Sequence, residues 1–214
     1  MSGRICFVLL CAIILAGAPA SGDEILTVTA DSTMDGNAGV LLEIQDPPGT
    51  LAETRFVFNQ AANIRVYATR SAGSPDWTVH PVPIYLVPKN KIDPGDTWRY
   101  LDEDDGSETI AEAIVEEPVD TPAGTFIAWR VDIALASNPT ELVRSVWFAS
   151  DLGIVREVEY FDQWVEWEGL LDTYSAAGNG HFPLIVGNTW WLLTGAVSNE
   201  PTSMSTIKGQ FRDQ

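Results

Sequence analysis

The residues able to do chemistry are few, and their spacing suits no familiar reaction. The chain has two histidines: His80, which precedes Pro81 and is thereby biased toward extended backbone, and His181, which sits between Gly180 and Phe182. A hydrolytic triad needs an imidazole beside an activated hydroxyl, and neither a Gly-x-Ser-x-Gly elbow nor a His-Glu-x-x-His signature occurs. Zinc fares no better with two scattered imidazoles and both cysteines, Cys6 and Cys11, near the start of the chain. The segment Asp102-Glu-Asp-Asp-Gly-Ser-Glu108 makes Asp102, Asp104 and Asp105 weak candidates for a calcium ion. It lacks the helix-loop-helix calcium spacing, in which acids fall at positions one, three and five with Gly at six. A solvated hairpin tip is the simpler reading. Carboxylate pairs for glycoside chemistry are conceivable among 30 acidic residues, but their separation across a sheet is not legible in one sequence. We expect no enzyme, no cofactor and no metal site.

Tryptophan is the compositional oddity. Trp77, Trp98, Trp129, Trp147, Trp164, Trp167, Trp190 and Trp191 make eight. Large rings bury about 150–250 Å² each and can fill a wide sheet core. The alternative is that some line a hollow for an apolar or sugar ligand, and Tyr67, Trp129 and Trp147 are the candidates for that lining. Trp164 and Trp167 are three residues apart, so on a regular strand they face opposite sides. One of the two should be partly exposed.

The elements that must position these side chains read as strands and tight turns. Val119 to Val131 holds Pro122-Ala-Gly124 between two β-rich runs, and Trp147 to Arg156 is broken by Asp151-Leu-Gly153. Earlier strands are predicted at 25–30, 39–45, 54–58 and 64–69, separated by Asp35-Gly-Asn, Asp46-Pro-Pro-Gly49 and a five-residue hairpin connection. Pro81, Pro83 and Pro88 remove ladder donors, so 81–88 should be an edge strand or an extended crossing and not a central strand. A hairpin around Asp104-Asp-Gly106 joins 97–102 to 108–116, and longer strands are predicted at 125–136, 141–150 and 153–171. No stretch before residue 171 keeps a helical period. The fold class is therefore all-β, mainly antiparallel, with few or no helices.

At 214 residues the chain can bury one sizeable core. Met1 to Ala20 has the parts of a secretory leader: Arg4, an apolar run from Ile5 to Leu15, and small residues ending at Ala18-Pro-Ala20. Cleavage near Ala20 would leave a β domain at 21–174 and a segment at 175–214 read as an extension or incomplete second repeat packed on the first. That reading rests on Gly187-Asn-Thr-Trp190, which echoes Gly95-Asp-Thr-Trp98. The expected location is periplasmic or extracellular in a bacterium. Cys11 follows Leu9-Leu10 where a lipid-attachment site would need a small residue, so lipid anchoring is not expected. Outside the leader no window supplies the roughly 20 apolar residues of a membrane helix. The net charge of −18 disfavours nucleic acid and anionic lipid.

Gly95-Asp-Thr-Trp98, Thr121-Pro-Ala-Gly-Thr-Phe126 and Trp147-Phe-Ala with Leu152-Gly-Ile-Val155 together resemble a group of uncharacterised bacterial exported proteins. In that group G-[ND]-x-W, PAGTF and W-[FY]-A…G-[LIV]-V motifs recur in this order. The resemblance covers roughly residues 80 to 160. The group is similar to the LolA-like lipoprotein carriers, which implies a strongly curved sheet or half-barrel around an apolar hollow and no catalytic set. Two functions follow as expectations. The first is a non-enzymatic binding or carrier-type domain holding an apolar or lipid-like ligand in its concave face. The alternative is a structural or surface-interaction module for a protein or polysaccharide. An open interior of about 300 Å³ or more favours the first, and a filled one the second.

Overall fold

The computed structural model describes residues 24–59, 63–88, 91–102, 108–161 and 164–195. They form one antiparallel sheet of twelve strands curled into a nearly closed barrel, with no helix among them. In chain order these are β1 (Glu24–Met34), β2 (Asn37–Gln45), β3 (Leu51–Asn59), β4 (Asn63–Ser71), β5 (Thr78–Pro88) and β6 (Thr97–Asp102). They continue with β7 (Glu108–Thr121), β8 (Gly124–Leu135), β9 (Asn138–Ala149), β10 (Gly153–Phe161), β11 (Trp164–Ser175) and β12 (Thr189–Gly195). Apart from β5 and β6, each strand pairs with its sequence neighbour, and β12 pairs with β1.

The one junction without a ladder lies between β5 and β6. Proline explains it from the β5 side: Pro81, Pro83 and Pro88 cannot donate, so the strand expected at an edge is at one. Side chains close the seam instead. The Trp98 indole donates to the Tyr85 carbonyl at 3.0 Å, with the two rings 5.5 Å apart.

The strand expected over 153–171 is two antiparallel strands, β10 and β11, with Phe161 paired to Trp164. The 175–195 part of the C-terminal segment supplies β12, which is laddered to β1 and to β11. The connection before it folds back over the barrel, burying Phe182 and Leu184. The Asn188 side chain holds that connection by bonding Ala177 in both directions and donating to the Pro183 carbonyl.

The two Gly-x-Thr-Trp segments share a structure. Gly95 (φ 84°) and Gly187 (φ 96°) both adopt the left-handed conformation of a tight turn. Each amide donates across to a neighbouring strand, Gly95 to Ala113 of β7 and Gly187 to Val28 of β1. The amides of Ala113 and Val28 return bonds to the carbonyls of Asp96 and Asn188. A bulge follows immediately in both receiving strands, between Val28 and Ala30 and between Ala113 and Val115. The motif thus opens the sixth strand of each half, β1–β6 and β7–β12, and ties it to the first strand of the other. The barrel is pseudo-twofold.

Twelve strands about 4.8 Å apart and tilted about 40° would make a round barrel about 24 Å across, with a lumen about 12 Å wide inside the side chains. The residual cavity here is about 10 Å³, lined from β1, β2, β3, β5 and β6 on one wall and from β9 and β10 on the other. Side chains from opposite walls therefore meet around this cavity.

Candidate functional site

Alternation and register sort the expected site residues. Trp129 pairs with Phe148, which lines the residual cavity, so Trp129 faces inward, partly buried against the core. Trp147 is one step out of phase and faces outward, yet is only 3 % exposed. Arg130 and Arg156 lie over its ring, with guanidinium carbons 5.6 and 4.5 Å from its centroid, and its indole donates to Glu117 at 2.7 Å. Asp132 and Glu168 hold those arginines, so the ring is riveted under two ion pairs. Tyr67 is also outward, stacked on Phe58 at 4.7 Å and donating to Asp35 at 2.6 Å, in a satellite cluster with Phe56, Met34, Leu41 and Trp77. The three residues therefore share no lining. Asp102 ends β6, while Asp104 and Asp105 lie outside the described residues. Among the described residues no group of three or more acidic, His or Cys side chains could hold a metal ion.

Two features were not expected. The first is charge inside the barrel. Glu24, Glu53, Arg55, Arg144, Glu157 and Glu159 all take inward positions at one end of the core. Arg55 pairs with Glu53, and Arg144 with Glu157, while Glu159 is 4.0 Å from Arg144. Arg55, Arg144 and Glu157 line the cavity beside Leu26, Leu42 and Phe148. Burial pushes the Glu24 carboxyl up to about 7, with Arg55 and Arg144 only partly offsetting it. Glu159 is raised for the same reason. Alternation could not reveal this cluster. Ile154 and Glu157 are three residues apart and read as opposite faces, but a bulge between Ile154 and Arg156 turns both inward.

The second feature is an open groove of about 350 Å³ on the outside, lined by Glu141, Leu142, Val143, Tyr160 and Phe161. Phe161 is 64 % exposed, and its register partner Trp164, 41 % exposed, extends the apolar surface onto β11. Trp164 is thus the exposed member of the spaced pair, while Trp167 packs against the core. Large rings displayed at a hairpin tip have no core to fill, and such patches on soluble domains commonly mark contacts.

Of the two histidines, His181 is buried, which lowers its pKa and keeps the ring neutral near pH 7. His80 is buried as well. No family model matches the chain, and neither a curated protein nor a solved structure matches it.

Proposed function

We propose that the protein is a surface-interaction module that binds a partner protein through the groove between β9 and β10 and the Phe161–Trp164 tip. The observation that carries this reading is a contrast of volumes: about 10 Å³ in the cavity that Leu26, Leu42 and Phe148 line inside the barrel, against about 350 Å³ in the open groove outside. Ligand pockets run from about 300 Å³ upward, and this inner cavity is far below that, which favours the surface reading. The partner should present a basic, apolar segment, because the groove has Glu141 as its charged member and the whole chain carries −18.

A soluble peptide of alternating Lys and Leu serves as the probe, titrated while Trp fluorescence is followed. Saturable binding that weakens with salt and is lost in Phe161→Ser/Trp164→Ala supports the reading. Saturable binding of a fluorescent fatty acyl probe, unaffected by that double substitution, would overturn it in favour of a carrier. A soluble neutral glucan that binds the same tip while the peptide does not would replace the protein partner with a polysaccharide.

The carrier reading keeps one observation in its favour. Twelve strands have the perimeter for a lumen, and among the described residues the β5–β6 seam has no ladder and is crossed by the Trp98 indole bond. Rounding of the barrel with the seam parted would expose the apolar wall of Leu26, Leu42, Leu86, Val146 and Phe148.

A further inference from the structure

Glu24 stands where the barrel closes on itself. Among the described residues the β1–β12 ladder pairs Glu24–Thr27 with 189–192, with Glu24 opposite Leu192. By alternation with Leu26 and Val28 the Glu24 side chain turns inward, and its Oε1 is buried with no hydrogen-bond partner among the described residues. The charged groups around it come from four elements. β3 brings Glu53 and Arg55, already paired with each other, and β9 brings Arg144, engaged with Glu157. β10 brings Glu157 and Glu159, and the turn after β2 brings Asp46. Glu166 of β11 adds negative potential at Glu159. Both guanidiniums are therefore committed to other carboxylates, and the buried group is left with an acidic surplus.

We propose that this end of the barrel is a proton-operated closure: Glu24 carrying a proton holds the β1–β12 joint shut, and its ionisation loosens that joint. The proton removes the charge from a carboxylate whose Oε1 is buried with no hydrogen-bond partner among the described residues, where ionisation is costly. Parting β1 from β12 at Glu24 and Leu192 relieves that cost, since it returns the carboxylate to water.

Burial raises the group from 4.5 to about 7, with Asp46 and Glu159 adding to the rise and the two arginines opposing it. Between those pH values the closed joint binds a proton that the open joint does not. The stabilisation is therefore complete below about pH 4.5 and is lost as pH rises through about 7.

The test is amide hydrogen exchange on the intact protein from pH 5 to 8, corrected for the intrinsic pH dependence of exchange. Opening of β1 residues 24–28 and β12 residues 189–192 should increase on the order of 100-fold over that range, and Glu24→Gln should flatten the profile. A flat wild-type profile would overturn the proposal, as would a rise that persists in Glu24→Gln. Should that variant fail to fold, the carboxyl carbon shift of Glu24 in the wild-type protein decides. Titration near 7 supports the closure and titration near 4.5 overturns it. None of these outcomes depends on whether the outer groove binds a partner.

Discussion

Replacing Gly153 by Ala tests whether the β9–β10 turn is fastened to the core by steric fit. Gly153 has φ 109°, a conformation that side chains rarely adopt, which costs about 1–3 kcal/mol once a Cβ is present. An added Cβ would also lie 2.8 Å from Phe182 Cδ2 and 2.9 Å from Trp190 Nε1. Both rings are buried, so neither can swing into solvent, and overpacking of this kind adds about 1–3 kcal/mol. The same indole donates to the Leu152 carbonyl at 2.5 Å, and displacing it forfeits about 1 kcal/mol more. The expected loss is about 4 kcal/mol, a large part of the roughly 5–15 kcal/mol of a whole domain. Gly187→Ala is the control, because its φ is 96° but nothing lies within 4 Å of the added Cβ. It should cost about 1–2 kcal/mol from backbone strain alone. Equilibrium urea unfolding, followed by Trp fluorescence and far-ultraviolet circular dichroism, measures both. With a slope of about 2 kcal/mol/M, the Gly153 midpoint should fall by about 2 M. If the two variants lie within about 1 kcal/mol of each other, the ring contacts do not fasten this turn and the reasoning fails.

Three further outcomes follow from the same geometry. Arg144→Met strands Glu157 in the core and should cost about 3–5 kcal/mol, whereas Arg144→Met/Glu157→Leu should recover most of it; equal unfolding midpoints for the two would contradict the pairing. Trp98→Phe removes the indole bond to Tyr85 across the seam and should lower stability by about 1 kcal/mol, with faster amide exchange confined to β5 and β6. Uniform acceleration around the barrel would show that the seam is not a separate weak point. Phe161→Ser/Trp164→Ala should change stability by no more than about 0.5 kcal/mol per site while reducing peptide binding more than tenfold. A large fall in melting temperature would mean that these rings serve the core.

The pseudo-twofold gives the echo of Gly95–Trp98 at Gly187–Trp190 a physical meaning. In both copies the glycine supplies the positive φ, the next residue bonds the first strand of the other half, and the tryptophan enters the core. Only the second copy sits in a strand laddered on both sides, because β11 lacks the prolines that β5 carries. One half of the barrel is thereby sealed by backbone and the other by Trp98.

Local chemistry was legible in the residues themselves. Turn signals at Asp35-Gly36, Pro122-Ala-Gly124 and Asp151-Leu-Gly153 mark true reversals, since glycine and proline act on their own backbone whatever surrounds them. The prolines of β5 specified an edge for the same local reason. What the tertiary structure alone decided is which side of each strand is inside. A single extra residue in a bulge inverts the parity downstream, so Glu157 faces in beside Arg144 although Ile154, three residues before it, faces in as well. The filled interior was equally hidden, because the perimeter depends on strand count but the area enclosed depends on how far opposite walls approach. That distance is set by the packing of side chains far apart in the chain, and no local pattern encodes it.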